Sequence, residues 1–223
     1  MRIVIIAAAI LFNIAAANSQ TKEFENYSVT PNLVKIEIQE IQGESALKVV
    51  KNSNVKKVDE PTFAKVSDLN FKNGTIEVKV LSRLLPSAPE FARGFIGLAY
   101  RINEDNTKYE SIYIRPTNGR ANDQIRRNHS IQYYAYPGYK FDKLRETAPE
   151  KYESYADMEL DKWITLKVVL QNNIQKLFID GAEQPSIYID SPEGIEPISG
   201  SIGLWVEVGT EGFFKDLKVT INN

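Results

Sequence analysis

From Leu33 to Ile221 the chain is built from short runs in which apolar and polar residues alternate, each closed by Gly, Pro, Asn or Asp. That period of two is what a strand imposes, because successive side chains leave a strand on opposite faces. Leu33 to Ile41 sets Leu33, Lys35, Glu37 and Gln39 against Val34, Ile36 and Ile38. Further runs cover Ser45–Lys51, Thr62–Val66, Thr75–Ser82, Gly94–Ile102, Tyr109–Arg115 and Ile131–Tyr136. The series closes with Trp163–Gln171, Ile174–Asp180, Ser186–Asp190, Ser201–Val208 and Gly212–Ile221. Gln42-Gly43, Asn73-Gly74 and Asn172-Asn173 have the chemistry of tight turns. Many short strands at this spacing predict an all-β, antiparallel two-sheet sandwich. Roughly 200 residues suffice for a single core of that kind.

One stretch breaks the rhythm. Tyr139 to Met158 places Phe141, Leu144, Tyr152 and Tyr155 at near-helical spacing around Pro149, which predicts a short helical excursion near 139–158. The N-terminus reads as a processing signal over residues 1–20. Arg2 supplies the positive charge, Ile3 to Ile14 the apolar run, and Ala15-Ala16-Ala17-Asn18-Ser19 the small residues for cleavage. The expected cut follows Ser19 or Gln20, with Ala17 the second choice, leaving 21–223 as one domain. The apolar run is shorter than the ~20 residues of a spanning helix, so the mature chain is expected to be exported, whether periplasmic, cell-surface or extracellular, with no membrane span. The chain has no cysteine, which excludes disulfides, thiolate metal sites and a cysteine nucleophile. A formal net charge of −2 gives no global case for nucleic acid. Asn26, Asn73 and Asn128 match the Asn-x-Ser/Thr glycosylation pattern.

Function concentrates in Tyr109–Arg145. This stretch holds more than half of the chain's 11 tyrosines, its one histidine (His129), and Arg115, Arg120, Arg126 and Arg127. Alternation assigns Ile96, Leu98, Tyr100 and Ile102 to the core and Phe95, Gly97, Ala99 and Arg101 to the opposite face. By the same rule Tyr113 and Arg115, then Gln132, Tyr134 and Tyr136, then Trp205 and Glu207, point away from the core. If these strands are neighbours, the residues line one surface. Aromatic faces stack on the C–H faces of sugars, and planar donors such as guanidinium fix hydroxyls or carboxylates. The candidate ligand residues are therefore Arg101, Tyr113, Arg115, Arg126, Arg127, His129, Tyr134, Tyr136, Trp205 and Glu207. The expected partner is a polysaccharide or oligosaccharide.

Phe71-Lys72-Asn73-Gly74-Thr75-Ile76-Glu77-Val78 resembles the opening strand of concanavalin A-like lectin/glucanase domains, a superfamily of laminin-G-like jelly rolls. Gly94 to Arg101 resembles their glycine-hydrophobic strand. Trp163 to Val168 with Leu177-Phe178-Ile179-Asp180-Gly181 resembles their Trp-to-Asp-Gly hairpin. Gly200 to Trp205 and Phe213 to Val219 resemble their last strands. The resemblance implies a two-sheet jelly roll over about Leu33 to Ile221. It reaches lectins, secreted glycosidases, polysaccharide lyases and exported 3-keto-disaccharide hydrolase-like domains, so it leaves enzyme, binder and protein-interaction module open. The E-x-D-x-x-E motif of family 16 glycosidases is missing its last acid at Glu159-Leu160-Asp161-Lys162-Trp163-Ile164. A pair of Glu110 with Glu207 would need two opposite faces to meet. A lyase would draw on Arg115, Arg126 or Arg127 as carboxylate neutraliser, and on His129 and Tyr134 or Tyr136 for the base and the acid. No cofactor is expected beyond a structural calcium, which jelly-roll domains of this kind often carry; Asp180, Asp190 and Asp216 are its candidate ligands, although they form no dense calcium loop.

Overall fold

The computed structural model describes residues 20–23, 27–192 and 195–222; residues 1–19 of the expected signal segment and Asn26 lie outside them. In chain order the strands are β1 (Gln20–Glu23), β2 (Val29–Asn32), β3 (Val34–Ile41), β4 (Glu44–Lys51), β5 (Phe63–Phe71), β6 (Gly74–Leu84), β7 (Ile96–Ile102) and β8 (Tyr109–Ile114). Two short helices follow, α1 (Pro116–Gly119) and α2 (Gln124–Asn128). Then come β9 (Ile131–Tyr136), α3 (Phe141–Thr147), β10 (Glu153–Ser154), β11 (Ile164–Gln171), β12 (Ile174–Ile179), β13 (Ile187–Asp190), β14 (Gly200–Val206) and β15 (Thr210–Ile221).

They form two antiparallel sheets. One has the order β13-β12-β11-β6-β15-β4-β3, with β1 also paired to β15; the other runs β10-β9-β8-β7-β14-β5-β2. Every predicted strand run is present, and β1, β2 and β10 are additions, the last two at the edges of their sheet. β2 carries Pro31 opposite Ala64, where an edge strand tolerates a residue without a donor. The β3–β4 hairpin turns on Gln42 (φ 54°) and Gly43 (φ 77°), the left-handed pair that matches strand twist. The helical excursion is α3, ended before Pro149. No helix among the described residues is long and apolar enough to cross a membrane.

The core lies between the sheets. Val78, Val80, Leu166, Val168, Leu177 and Val219 meet Ile96, Leu98, Ile112, Ile114, Ile131 and Leu204, all buried. At one end the core admits charge. The Glu110 carboxylate accepts from Tyr133 Oη at 2.8 Å and from Gln175 of the facing sheet, and Gln175 in turn accepts from Tyr100. Arg101 Nη1 completes the group at 2.8 Å from Glu110.

Arg101 departs from its expected place. Simple alternation sets it on the outer face, but β7 bulges here: Ser201 pairs with Ile102 and Gly203 with Ala99. Arg101 takes φ 54°, and its guanidinium turns in toward Glu110 and the carbonyls of Lys72 and Asn172, each at 2.8 Å. It is 1% exposed. Removing one partner of a buried pair strands the other, at about 3–5 kcal/mol. Arg101→Met is therefore expected to lower urea-unfolding free energy by about that amount, and Arg101→Met/Glu110→Gln to recover part of it. A near-neutral single variant would show that the pair is not what satisfies this end of the core.

Candidate functional site

The site begins with small residues on the outer face of the β10-to-β2 sheet. Strand register puts Trp205, Gly97, Tyr113 and Gln132 in one row, and Gly203, Ala99, Ser111 and Tyr134 in the next. A Cβ on Gly97 would lie 2.5 Å from Tyr113 Cα, and one on Gly203 2.8 Å from the Phe63 ring. Gly97, Gly203 and Ala99 leave shallow space over the sheet, and the protein's own rings fill it. Tyr113 and Trp205 have ring centroids 4.8 Å apart, Tyr134 and Trp205 5.7 Å, and Tyr113 and Tyr134 5.8 Å. Phe63 and Tyr136 extend the cluster through Tyr109, at 5.5 and 5.1 Å.

The segment between β4 and β5 roofs most of this cluster. Thr62 Oγ1 donates to Val206 O at 2.6 Å, and Val206 N donates to Thr62 O at 3.1 Å. Trp205 Nε1 donates to Glu60 O at 3.3 Å. Glu60 also accepts from Lys140 Nζ at 3.1 Å and Tyr136 Oη at 3.3 Å, which ties the roof to α3 and β9. Trp205 and Tyr134 are 0% exposed. The outer-face aromatics expected to stack on a ligand are thus a second, internal layer. That corrects the expected role of Tyr134 and Trp205 as an open stacking surface, because the roof covers both rings.

A cavity of about 310 Å³ remains open beside the roof, where β7 begins and β8 and β14 end. Tyr113, Arg115, Arg126, His129 and Glu207 all line it, so these predicted residues do meet. Phe91, Phe95 and Phe141 add rings, and Arg93, Arg145 and Asp59 add charge. Phe91 is 55% exposed, and Phe95 packs edge-on against Tyr113 at 6.2 Å. Tyr136 and Arg101 line a separate cavity of about 480 Å³ beyond the roof. Arg127 lies away from both, stacked 5.0 Å from the Tyr155 ring and donating to its hydroxyl at 2.9 Å.

The guanidinium groups in the cavity are not equivalent. Arg115 is spent on the protein. Nη1 donates to His129 O at 2.8 Å and Glu153 Oε1 at 3.0 Å, and Nη2 to Tyr113 Oη at 2.7 Å and Gln132 Oε1 at 3.1 Å. Arg145 grips Glu153 with two nitrogens, at 2.7 and 2.5 Å. Burial works to raise the Glu153 carboxyl, but Arg145 and Arg115 outweigh it and hold it below the usual range. His129 Nε2 stands 3.4 Å from Glu153 Oε2; burial lowers the His129 pKa against the pull of Glu153, which favours neutral imidazole. Arg126 reaches only Asn118 Oδ1, at 3.3 and 3.4 Å, and Arg93 donates to the carbonyls of Glu90 and Ala92.

On the opposite wall stand Asp59 and Glu207. Burial raises the Glu207 carboxyl, and a buried ion pair with Lys51 opposes the rise. Glu207 Oε2 also accepts from Asp59 N at 2.7 Å. Asp59 sits at φ 51°, a left-handed conformation that aspartate tolerates better than most residues, and is 3% exposed. Its Oδ2 is buried without a hydrogen-bond partner. Burial first, and then the neighbouring Glu207 and Asp142 charges, push the Asp59 carboxyl up to about 7, against Lys140 and Arg115. Sequence reading missed Asp59, Phe91 and Arg93 because they lie on irregular connections where alternation carries no information.

The loop aspartates do not gather. Asp180 Oδ1 accepts from Thr165 N at 2.7 Å, Asp216 pairs with Lys79 at 2.8 Å, and Asp190 accepts from Ser191. No group of three His, Asp or Glu side chains among the described residues is placed to hold a metal ion.

No family model and no curated protein matches the chain. Its architecture does match solved structures. A native glycosidic hydrolase aligns at TM-score 0.51 and 11% identity, over 92% of this chain and 96% of that one. A β-glucanase from Bacillus licheniformis aligns at 0.50 and 12%, over 93% and 100%. A Bacillus subtilis protein of unknown function with a galectin-like fold aligns at 0.51 and 11%, over 89% and 91%. The fold is the concanavalin A-like jelly roll. At such identities the likeness carries the fold and leaves activity to the site.

Asp59 gives this site a measurable signature. A carboxyl whose folded pKa is raised binds a proton that the unfolded chain has released, so stability falls as pH rises from about 4 to about 7. Asp59→Asn is expected to raise thermal stability at pH 8, by up to about 4 kcal/mol, and to change it little at pH 4. Parallel stability–pH curves for the two proteins would contradict a buried, protonated Asp59.

Proposed function

We propose that this is an exported jelly-roll protein that binds or processes polysaccharide or oligosaccharide in the cavity between Asp59, Tyr113 and Arg126. The observation that carries the reading is the composition of that cavity. Partly exposed rings of Phe91, Phe95 and Phe141 face guanidinium and imidazole donors at close quarters. A sugar unit presents apolar C–H faces between fixed hydroxyls, and needs both kinds of wall. The short apolar leader of the sequence supports export. The arginines of Tyr109–Arg145 divide their labour in this reading: Arg115 braces the cavity and Arg126 faces the ligand.

Binding to a glycan array, followed by titration calorimetry on the best oligosaccharide, tests the proposal. Phe95→Ala/Phe141→Ala is expected to weaken affinity about tenfold, from the loss of two stacking contacts. Tyr134→Phe, beneath the roof, is expected to leave affinity unchanged. Unaltered binding after the double substitution, or binding to no glycan at all, would refute the site.

A hydrolytic reading has one specific observation in its favour, the orphaned Asp59 carboxyl beside Glu207 in the same cavity. Two carboxyl groups with different environments are the raw material of acid and base roles. In that case Asp59→Asn abolishes release of reducing ends from the bound glycan while binding persists. Turnover that survives the substitution would leave the chain a binder.

A further inference from the structure

Arg93 and Arg126 both line the cavity, yet neither lies within 4.0 Å of a carboxylate among the described residues. Arg115 and Arg145, in the same cavity, are both paired with Glu153. Arg126 is held by long contacts to one amide oxygen, and Arg93 by the backbone carbonyls of Glu90 and Ala92, with the Glu90 carboxylate acting on it only at longer range. Burial first, and then the neighbouring Arg126 charge, disfavour the charged form of Arg93, against a weaker pull from Glu90. Like charges held together in a half-buried cavity carry a free-energy cost that a bound anion would offset. The carboxyl groups of the site do not fill that role: Glu207 is paired with Lys51, and Asp59, whose backbone N–H donates to Glu207, makes no ion pair among the described residues.

We propose that Arg93 and Arg126 form a subsite for the anionic group of an acidic sugar, a carboxylate or sulfate ester, with Asp59 Oδ2 meeting a hydroxyl of the same unit. This deepens the glycan reading and rests on it. Guanidinium groups suit planar carboxylates and sulfate oxygens through paired N–H donors. Asp59 makes the site more than an anion trap. Its Oδ2 is buried, unpartnered and in the same cavity, so a ligand that carries a hydroxyl beside its anion satisfies it as well. An acidic sugar carries an anion beside hydroxyls on one rigid ring, so it satisfies both requirements at once.

The test is calorimetric titration of the full chain with oligogalacturonides, with their carboxyl-reduced counterparts, and with sulfated galactan oligosaccharides. An acidic oligosaccharide is expected to bind at least tenfold more tightly than the reduced one, and less tightly as sodium chloride is raised. Whichever of the uronate and sulfate series binds better identifies the anion. Arg93→Gln and Arg126→Gln are each expected to remove about tenfold of affinity for the acidic ligand and none for the neutral one. Arg83→Gln removes the same charge from the other sheet and is expected to change neither. Equal affinity for acidic and reduced ligands, or acidic binding indifferent to both substitutions, overturns the subsite and leaves the glycan site standing. Binding to neither series overturns both.

Discussion

The outer face of the β10-to-β2 sheet depends on backbone left bare. Gly97, Ala99 and Gly203 offer almost no side chain across two neighbouring strands, and Trp205, Tyr113 and Tyr134 settle into that depression. A sheet face of this kind would expose several large rings to water, so the connection from β4 to β5 lies across it. Its attachment is polar and specific: Thr62 extends the ladder of β14, and Glu60 collects Trp205, Tyr136 and Lys140. The sandwich thus gains a third layer over one sheet, and the cavity is the gap that this layer leaves near Phe95 and Tyr113.

Charge follows the same division between holding and binding. Glu153 on the short strand β10 absorbs Arg115 and Arg145, so those guanidinium groups stiffen the cavity wall. Lys51 and Glu207 do the same at the roof, with Asp59 fastened to Glu207 through its backbone. Arg93 and Arg126 are left without an ion-pair partner among the described residues, and Asp59 Oδ2 without a hydrogen bond.

Much of the fold was legible because alternation is a backbone property, and strands β3 to β15 lie where the periodicity put them, apart from the two-residue β10. Tyr113 shares the outer face with the Glu207 end of β14 for the same reason, whereas Arg126 and His129, on α2 and at its end, stood out by residue type alone. Two things were not legible. Arg101 turns inward through a bulge with a left-handed residue, and nothing in a regular Ile-Gly-Leu-Ala-Tyr-Arg-Ile run announces a break in register. Tyr134 and Trp205 point to the outer face as alternation requires, but outer is not exposed here. Whether a loop covers a face depends on the route of Asn52 to Thr62, and a connection's route is written in long-range contacts such as Glu60 to Trp205.

The claim that the aromatic layer is interior, and that a ligand meets only the cavity beside it, is most directly tested by fluorescence. In a Trp163→Phe variant, Trp205 is the sole tryptophan of the chain. Acrylamide should quench its emission as weakly as that of a buried indole, with or without bound oligosaccharide. Quenching close to that of free indole, and protection when oligosaccharide is added, would show instead that Trp205 is the open stacking surface and that the roof does not seal it.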